Sequence, residues 1–277
     1  MLFKEKLIKL TESSDSLSSL NILNVNEQNQ LIDPLLEHMG SIDSQLRDDL
    51  IYTTWNYWIT QDILSKEQLN YILNKSFDDQ HLYYKLGEQA TDSVFTRSFS
   101  LLLIALLIEA HHRNSFITDE HIHIMHQQLI HYMIQEKDTR GYVEGKGWAH
   151  AIAHGADVIE SFAKFSLNAS QYVEWLKTIH NIICLSTNVY VHLEDERLAR
   201  ACMTILNTNL LNDHIIEEWI SSFTEWNRSD LWHEEYIRIS NVKNFLSCLY
   251  FKLIDINPHH RWASFIRKHL KQMMELI

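Results

Sequence analysis

Two prolines, Pro34 and Pro258, and six glycines are all that this chain of 277 residues carries. Proline removes a backbone donor and glycine loosens the backbone, so both interrupt helices. So few of them over such a length predict helices joined by short polar loops. Apolar residues recur at the spacing such helices need. Leu46, Leu50, Ile51, Trp55 and Trp58 form one stripe, Ile122, Met125, Leu129, Ile130 and Met133 a second, and Leu198, Ala201, Cys202 and Ile205 a third. No segment alternates with period two for long enough to make a sheet.

Start and stop signals divide the pattern. Ser65 with Gln68 matches a capping box, and Thr118 precedes the acidic pair Asp119 and Glu120, which suits a first helical turn. Ser41 or Asp43, Asn168 or Ser170, and Asn212 are further cap candidates, and Gly40 is a helix stop after Met39. After Ser41 the helices fall into pairs near 43–76, 91–136, 147–185, 194–226 and 240–275. Units of this length predict an all-α fold of stacked antiparallel helix pairs, a HEAT-like α-solenoid or α–α superhelix, with an irregular helical bundle as the alternative. No linker or shift of composition divides the chain, so a single all-helical domain over 1–277 is expected.

The hydrophobic fraction of 45% is that of a globular protein. A formal charge of -12 repels phosphate backbones and argues against nucleic-acid binding, although protonation of all seventeen histidines would turn the charge positive. Cys184, Cys202 and Cys248 are widely spaced and odd in number, as expected of reduced thiols in a cytoplasmic protein. Met1 to Leu10 alternates lysine with leucine and isoleucine and does not read as a signal peptide. The longest apolar run, Leu101 to Ile108, is too short to cross a bilayer and reads as a helix buried on all sides, so no membrane partner is expected.

One stretch departs from these rules. Arg140 to Asp157 holds four of the six glycines, Gly141, Gly145, Gly147 and Gly155, which implies tight turns or close backbone approach. The loop from Glu144 to Gly147 is expected to run into a helix starting near Trp148, where free N–H groups beside Lys146 could hold an anion. It is no P-loop, since no Ser or Thr follows Lys146. On that helix Trp148, Ile152, Ala156, Ile159 and Ala163 would share a core face, with His150, His154, Asp157 and Ser161 opposite. The flanks Ala149, Ala151, Ala153 and Gly155 are small enough for neighbouring helices to close in, turning the polar stripe toward a cleft. His150 and His154, four apart, could chelate a divalent metal with Asp157 adding an oxygen, although Ala151 stands where a zincin helix has its glutamate.

Other polar residues sit in apolar company. Arg97 lies between Phe95 and Phe99 and must be paired or line a cavity. Glu194 and Asp195 open another helix and are candidates to meet Arg97, Arg140 or His154 across a groove. Asn244, between Val242 and Phe245, is a candidate buried amide. His111 and His112 fall near a helix end, where partial negative charge favours imidazolium.

The run from Arg140 to Asp157 resembles the signature of an uncharacterised bacterial family, domain of unknown function 2785. Phe95 to Ser100, His192 to Ala199 and Asn241 to Leu246 resemble its other blocks in the same order, and the resemblance covers most of the chain. The family tends to carry glycine where this chain has Leu193. The resemblance implies a helical fold and a bacterial, often Gram-positive, source. It implies no activity.

Three functions compete. In the preferred one Arg97, Arg140, Lys146, His150, His154, Asp157 and Glu194 line a groove that binds a small anionic ligand or an acidic peptide. In the second the chain is a hydrolase, using a metal on His150, His154 and Asp157 or a histidine as general base. In the third it is a scaffold for a protein partner, and the motif is purely structural.

Overall fold

The computed structural model describes residues 3–11, 18–225 and 231–275. The fold is all-α. Helices α1 (Phe3–Thr11), α2 (Ser18–Asn21) and α3 (Val25–Glu37) come first. A π-helical stretch, Gln45–Tyr52, runs directly into α4 (Thr53–Thr60), followed by α5 (Lys66–Ser76), α6 (Ser93–Arg113) and α7 (Asp119–Gln135). A two-stranded hairpin, β1 (Tyr142–Val143) and β2 (Gly147–Trp148), precedes α8 (Ala151–Phe162). Then follow α9 (Ala169–Ile183), α10 (Glu194–Leu206), α11 (Asp213–Ser222), α12 (Trp232–Ile256) and α13 (Arg261–Met274).

Helices occupy the expected segments, with three adjustments, the first being that the helix expected from 147 begins at Ala151. The last segment begins at Trp232 rather than near 240, and the one expected to reach 226 ends its helix at Ser222. Capping chemistry sets several starts. Ser65 and Gln68 exchange the two bonds of a capping box, and Asn168 with Gln171 does the same. Thr118 accepts from the N–H of His121, Asn212 from that of Ile215 and Asp43 from that of Leu46. Gly40 follows α3 as expected, but its necessity is steric. A Cβ there would lie 2.0 Å from Oγ1 of Thr96, so only glycine lets the turn rest on α6.

By its contacts the chain forms two compact units, Met1–Val158 and Ile159–Ile277, and the division falls inside α8 without a linker. In the first unit α4 and α5 pack on α6. Helix α6 is long and apolar enough to span a membrane by length and composition, but 78% of its apolar window is buried inside the protein. The run Leu101 to Ile108 is thus the middle of a longer core helix, with Leu101, Ile104, Leu107 and Ile108 fully enclosed. In the second unit α10 and α13 pack on α12, and α9 packs on α10, α11 and α12. Trp175, Leu198, Phe223, Phe245 and Ile266 are buried there, and the indole N–H of Trp219 donates to the Leu176 carbonyl at 2.7 Å.

Two polar assignments change. The buried amide of α12 is Asn241, fully enclosed, and not Asn244, which is half-buried. Asn241 accepts from the N–H of Tyr190 and donates to the carbonyls of Leu185 and Asn188, pinning an irregular segment that has no ladder of its own. His111 is not arranged as an imidazolium at a helix end. Its Nδ1 accepts from the N–H groups of Phe116 and Ile117, at 3.0 and 2.9 Å, which requires an unprotonated nitrogen. Burial first, and then the neighbouring His112, hold its pKa below the ordinary value.

Candidate functional site

The glycine-rich segment is a hairpin rather than the start of a helix. Tyr142 pairs with Trp148 and Val143 with Gly147. The pairing continues outward, since Ala149 N–H donates to Gly141 O at 2.8 Å and His150 N–H to Arg140 O at 3.1 Å. Gly145 and Gly147 take positive φ angles of 73° and 84°, which closes the turn around Lys146. Helix α8 therefore begins at Ala151, and Trp148 stands on the strand, 40% exposed, edge-on to Tyr142. The remaining expected core face holds, with Ile152, Ala156, Ile159 and Ala163 all buried.

His150 is the hinge between hairpin and helix. Its φ of 51° is left-handed, which histidine tolerates better than bulkier residues, and its carbonyl accepts the first helical bond, from His154 N–H at 2.9 Å. Its ring stacks on Trp148 at 4.3 Å between centroids and meets the ring of His154 edge-on at 5.9 Å. Both imidazoles are turned inward, 7% and 6% exposed. Nδ1 of His154 lies 3.1 Å from the Ser98 carbonyl. A carbonyl only accepts, so that nitrogen carries the proton and Nε2 is the lone-pair nitrogen of the neutral ring. Asp157, one turn on, is half-buried.

The small flanking residues serve close approach, as their sizes suggest. Ala149 and Ala151 form a buried cluster with Val94 and Phe95 at the start of α6. Gly155 faces Met133 of α7 so closely that a Cβ would lie 2.5 Å from its Cε.

The cations expected to face a ligand each hold a partner within their own unit. Arg97 is completely enclosed and forks onto Glu136, Nε to Oε2 at 2.6 Å and Nη2 to Oε1 at 2.9 Å. Its Nη1 donates to Ser93 Oγ and to the Tyr84 carbonyl. The phenol of Tyr132 donates to the same Glu136 carboxylate at 2.6 Å. Burial opposes the Arg97 charge, but the Glu136 hydrogen bonds and charge outweigh it and raise its pKa. Burial, and then the Glu136 charge, push the Tyr132 phenol far up. Arg140 forks onto Asp138 and donates to the Thr91 carbonyl. Lys146 pairs with Asp92 at 2.6 Å on the surface. Glu194 belongs to the second unit, where it is buried in the first turn of α10 and accepts from the N–H of His192 at 2.8 Å. Leu193 before it is left-handed, φ 67°.

Arg47 escaped the sequence reading. It is fully buried on the π-helical stretch, lies over the rings of Phe95 and Phe99 at 4.4 and 4.8 Å, and forks onto Asp48. It also donates to Ser41 O and to Lys146 O, holding the hairpin tip against the π-helical stretch. A Cβ on Gly147 would meet its Nη2 at 2.9 Å. The available signal was a lone arginine beside Leu46 inside an apolar stripe. Glu136 and Asp138, the partners of Arg97 and Arg140, were legible only as acids near the motif. The thiols of Cys184 and Cys248 are pushed up to about 12, chiefly by burial, and that of Cys202 higher still, so all three are held as unreactive thiols.

No curated protein and no solved structure matches the chain. Residues 82–251 match the family described as "protein of unknown function (DUF2785)". That match takes in the helix of Arg97, the hairpin, both imidazoles and the turn at Leu193, and it spans more than half of the sequence: the chain belongs to the DUF2785 family.

Proposed function

We propose that this chain is a helical-repeat scaffold of the bacterial cytoplasm that binds a protein partner, and that residues 140–157 are an internal clasp. The observation that carries this reading is the pairing of the motif's cations: Arg97 with Glu136, Arg140 with Asp138 and Lys146 with Asp92. A groove for an anionic ligand needs donors turned toward it, whereas these donors are spent on carboxylates and carbonyls of their own unit. The burial of Ala149, Ala151 and Ala153 and the contact of Gly155 with Met133 support the same reading. The acidic net charge supports a partner other than nucleic acid. The exposed pair Trp232 and Tyr236, 6.3 Å apart on α12, offers aromatic anchors of the kind that dominate protein interfaces.

Thermal melts test the clasp. His150→Ala and Asp157→Ala are expected to lower stability by about 1–3 kcal/mol, through polar groups left without partners. Phosphate, acetate, zinc and manganese are expected to leave the melting temperature of the unaltered protein unmoved. A shift with phosphate or acetate that His150→Ala abolishes overturns the structural reading in favour of anion binding.

One observation favours a metal-dependent reading. The Ser98 carbonyl fixes the tautomer of His154 as a backbone carbonyl does for metal-bound histidines, giving Nε2 the lone pair. Metal analysis of the purified protein separates the two: stoichiometric zinc or manganese, lost in His154→Ala, would establish a metal centre here.

A further inference from the structure

Away from the hairpin, the first unit holds an open cavity of about 610 Å³ between α3, α5 and the turns after α5. Its size is that of a small-molecule site. Along one wall, Asp33 and Glu37 stand one helical turn apart on α3. Asp33 accepts from the phenol of Tyr71 at 2.7 Å, which ties the two walls together and orients the carboxylate. The smaller hollow beyond this bridge shares Asp33 and Tyr71 with the cavity, so the groove continues past them.

Two histidines also line the cavity, and both are held through Nδ1. His81, 8% exposed, has Nδ1 at 2.7 Å from Asp78 Oδ1. His38 has Nδ1 at 3.0 Å from the Pro34 carbonyl. Each engaged oxygen is an acceptor, so each Nδ1 carries a proton, and the nitrogen on the far edge of each ring is an acceptor when the ring is neutral. The lining thus offers two carboxylates and two imidazoles whose Nε2 atoms accept when the rings are neutral. Tyr71 and Tyr84 add aromatic faces. Lys75, a cation of the lining, lies 5.9 Å over the ring of Tyr71.

We infer that this cavity binds a small organic cation, a primary amine or guanidinium, through Asp33, Glu37 and the Nε2 atoms of His38 and His81. Several donors on one positive group match a wall of several acceptors, and the tyrosine rings suit the same charge. The inference is independent of the clasp, since neither His150 nor Arg97 lines the cavity.

Isothermal titration calorimetry of the full chain tests it, with agmatine and spermidine as probes and acetate and zinc as controls. At least one amine is expected to bind, at least tenfold more weakly to Asp33→Asn/Glu37→Gln and to His81→Ala. The surface double variant, whose side chains are exposed, distinguishes loss of the site from loss of the fold, and its melting curve is recorded alongside. No heat with either amine overturns the inference. So does amine binding that both variants retain, which would be surface attraction to an acidic protein. Preferential binding of acetate or zinc overturns it as well, because the imidazoles would then be acting as donors or as metal ligands.

Discussion

Nη2 of Arg47 donates to the main-chain carbonyl of Lys146 at 2.8 Å, across 99 residues of sequence. The same guanidinium holds Asp48 and the Ser41 carbonyl and lies over two phenylalanine rings. The hairpin tip is thereby fastened to the π-helical stretch by one side chain. Arg47→Met keeps much of the volume and removes the donors. It should cost about 2–3 kcal/mol in urea unfolding, the range for hydrogen bonds to charged groups. Hydrogen exchange at the amides of Lys146 and Ala149 should rise with it, because these close the hairpin. Unchanged exchange there would mean that the hairpin holds without Arg47.

The Arg97–Glu136 pair is enclosed on both sides. Removing one partner leaves a buried charge, so Arg97→Met and Glu136→Leu should each cost about 3–5 kcal/mol alone. Arg97→Met with Glu136→Leu together should cost clearly less than the two single changes summed, because neither charge is then stranded. Additive losses in the double-mutant cycle would refute the pairing.

Leu193 is left-handed and 66% exposed, so its side chain contributes little packing. The left-handed conformation costs a non-glycine residue about 1–2 kcal/mol, and glycine's greater unfolded-state freedom returns about 0.5–1 of that. Leu193→Gly should therefore raise stability, by up to about 1.5 kcal/mol. A lower denaturation midpoint would show that the Leu193 side chain packs more than its exposure indicates.

His111 contributes to acid sensitivity. Its folded pKa is depressed below the ordinary value of 6.5, so the folded state disfavours the protonated ring. The associated stability is present above the unfolded pKa and is lost as pH falls through the depressed folded value. Between pH 7.5 and 5 the urea midpoint should fall, and His111→Ala should start lower at pH 7.5 yet fall less steeply. Equal slopes for the two proteins would exclude His111 as a source of the effect.

The helices were legible in the sequence because the forces that mark them are short-ranged. Ser65 with Gln68, Thr118, Asn168 and Asn212 act on N–H groups within three residues, and the apolar stripes repeat every turn. The inward turn of His150 and His154 was legible for the same reason, from the small residues beside them. The hairpin was not, since two residues per strand carry no period, and its ladder depends on backbone pairing around Gly145 and Gly147.

Tertiary structure alone decided the partners. Arg97 meets the acid Glu136, 39 residues on, and the buried amide of α12 proved to be Asn241 because the unladdered segment up to Tyr190 needed its oxygen. A charge or amide withdrawn from water must find a complement wherever the fold supplies one, and local sequence carries no record of which distant residue that is.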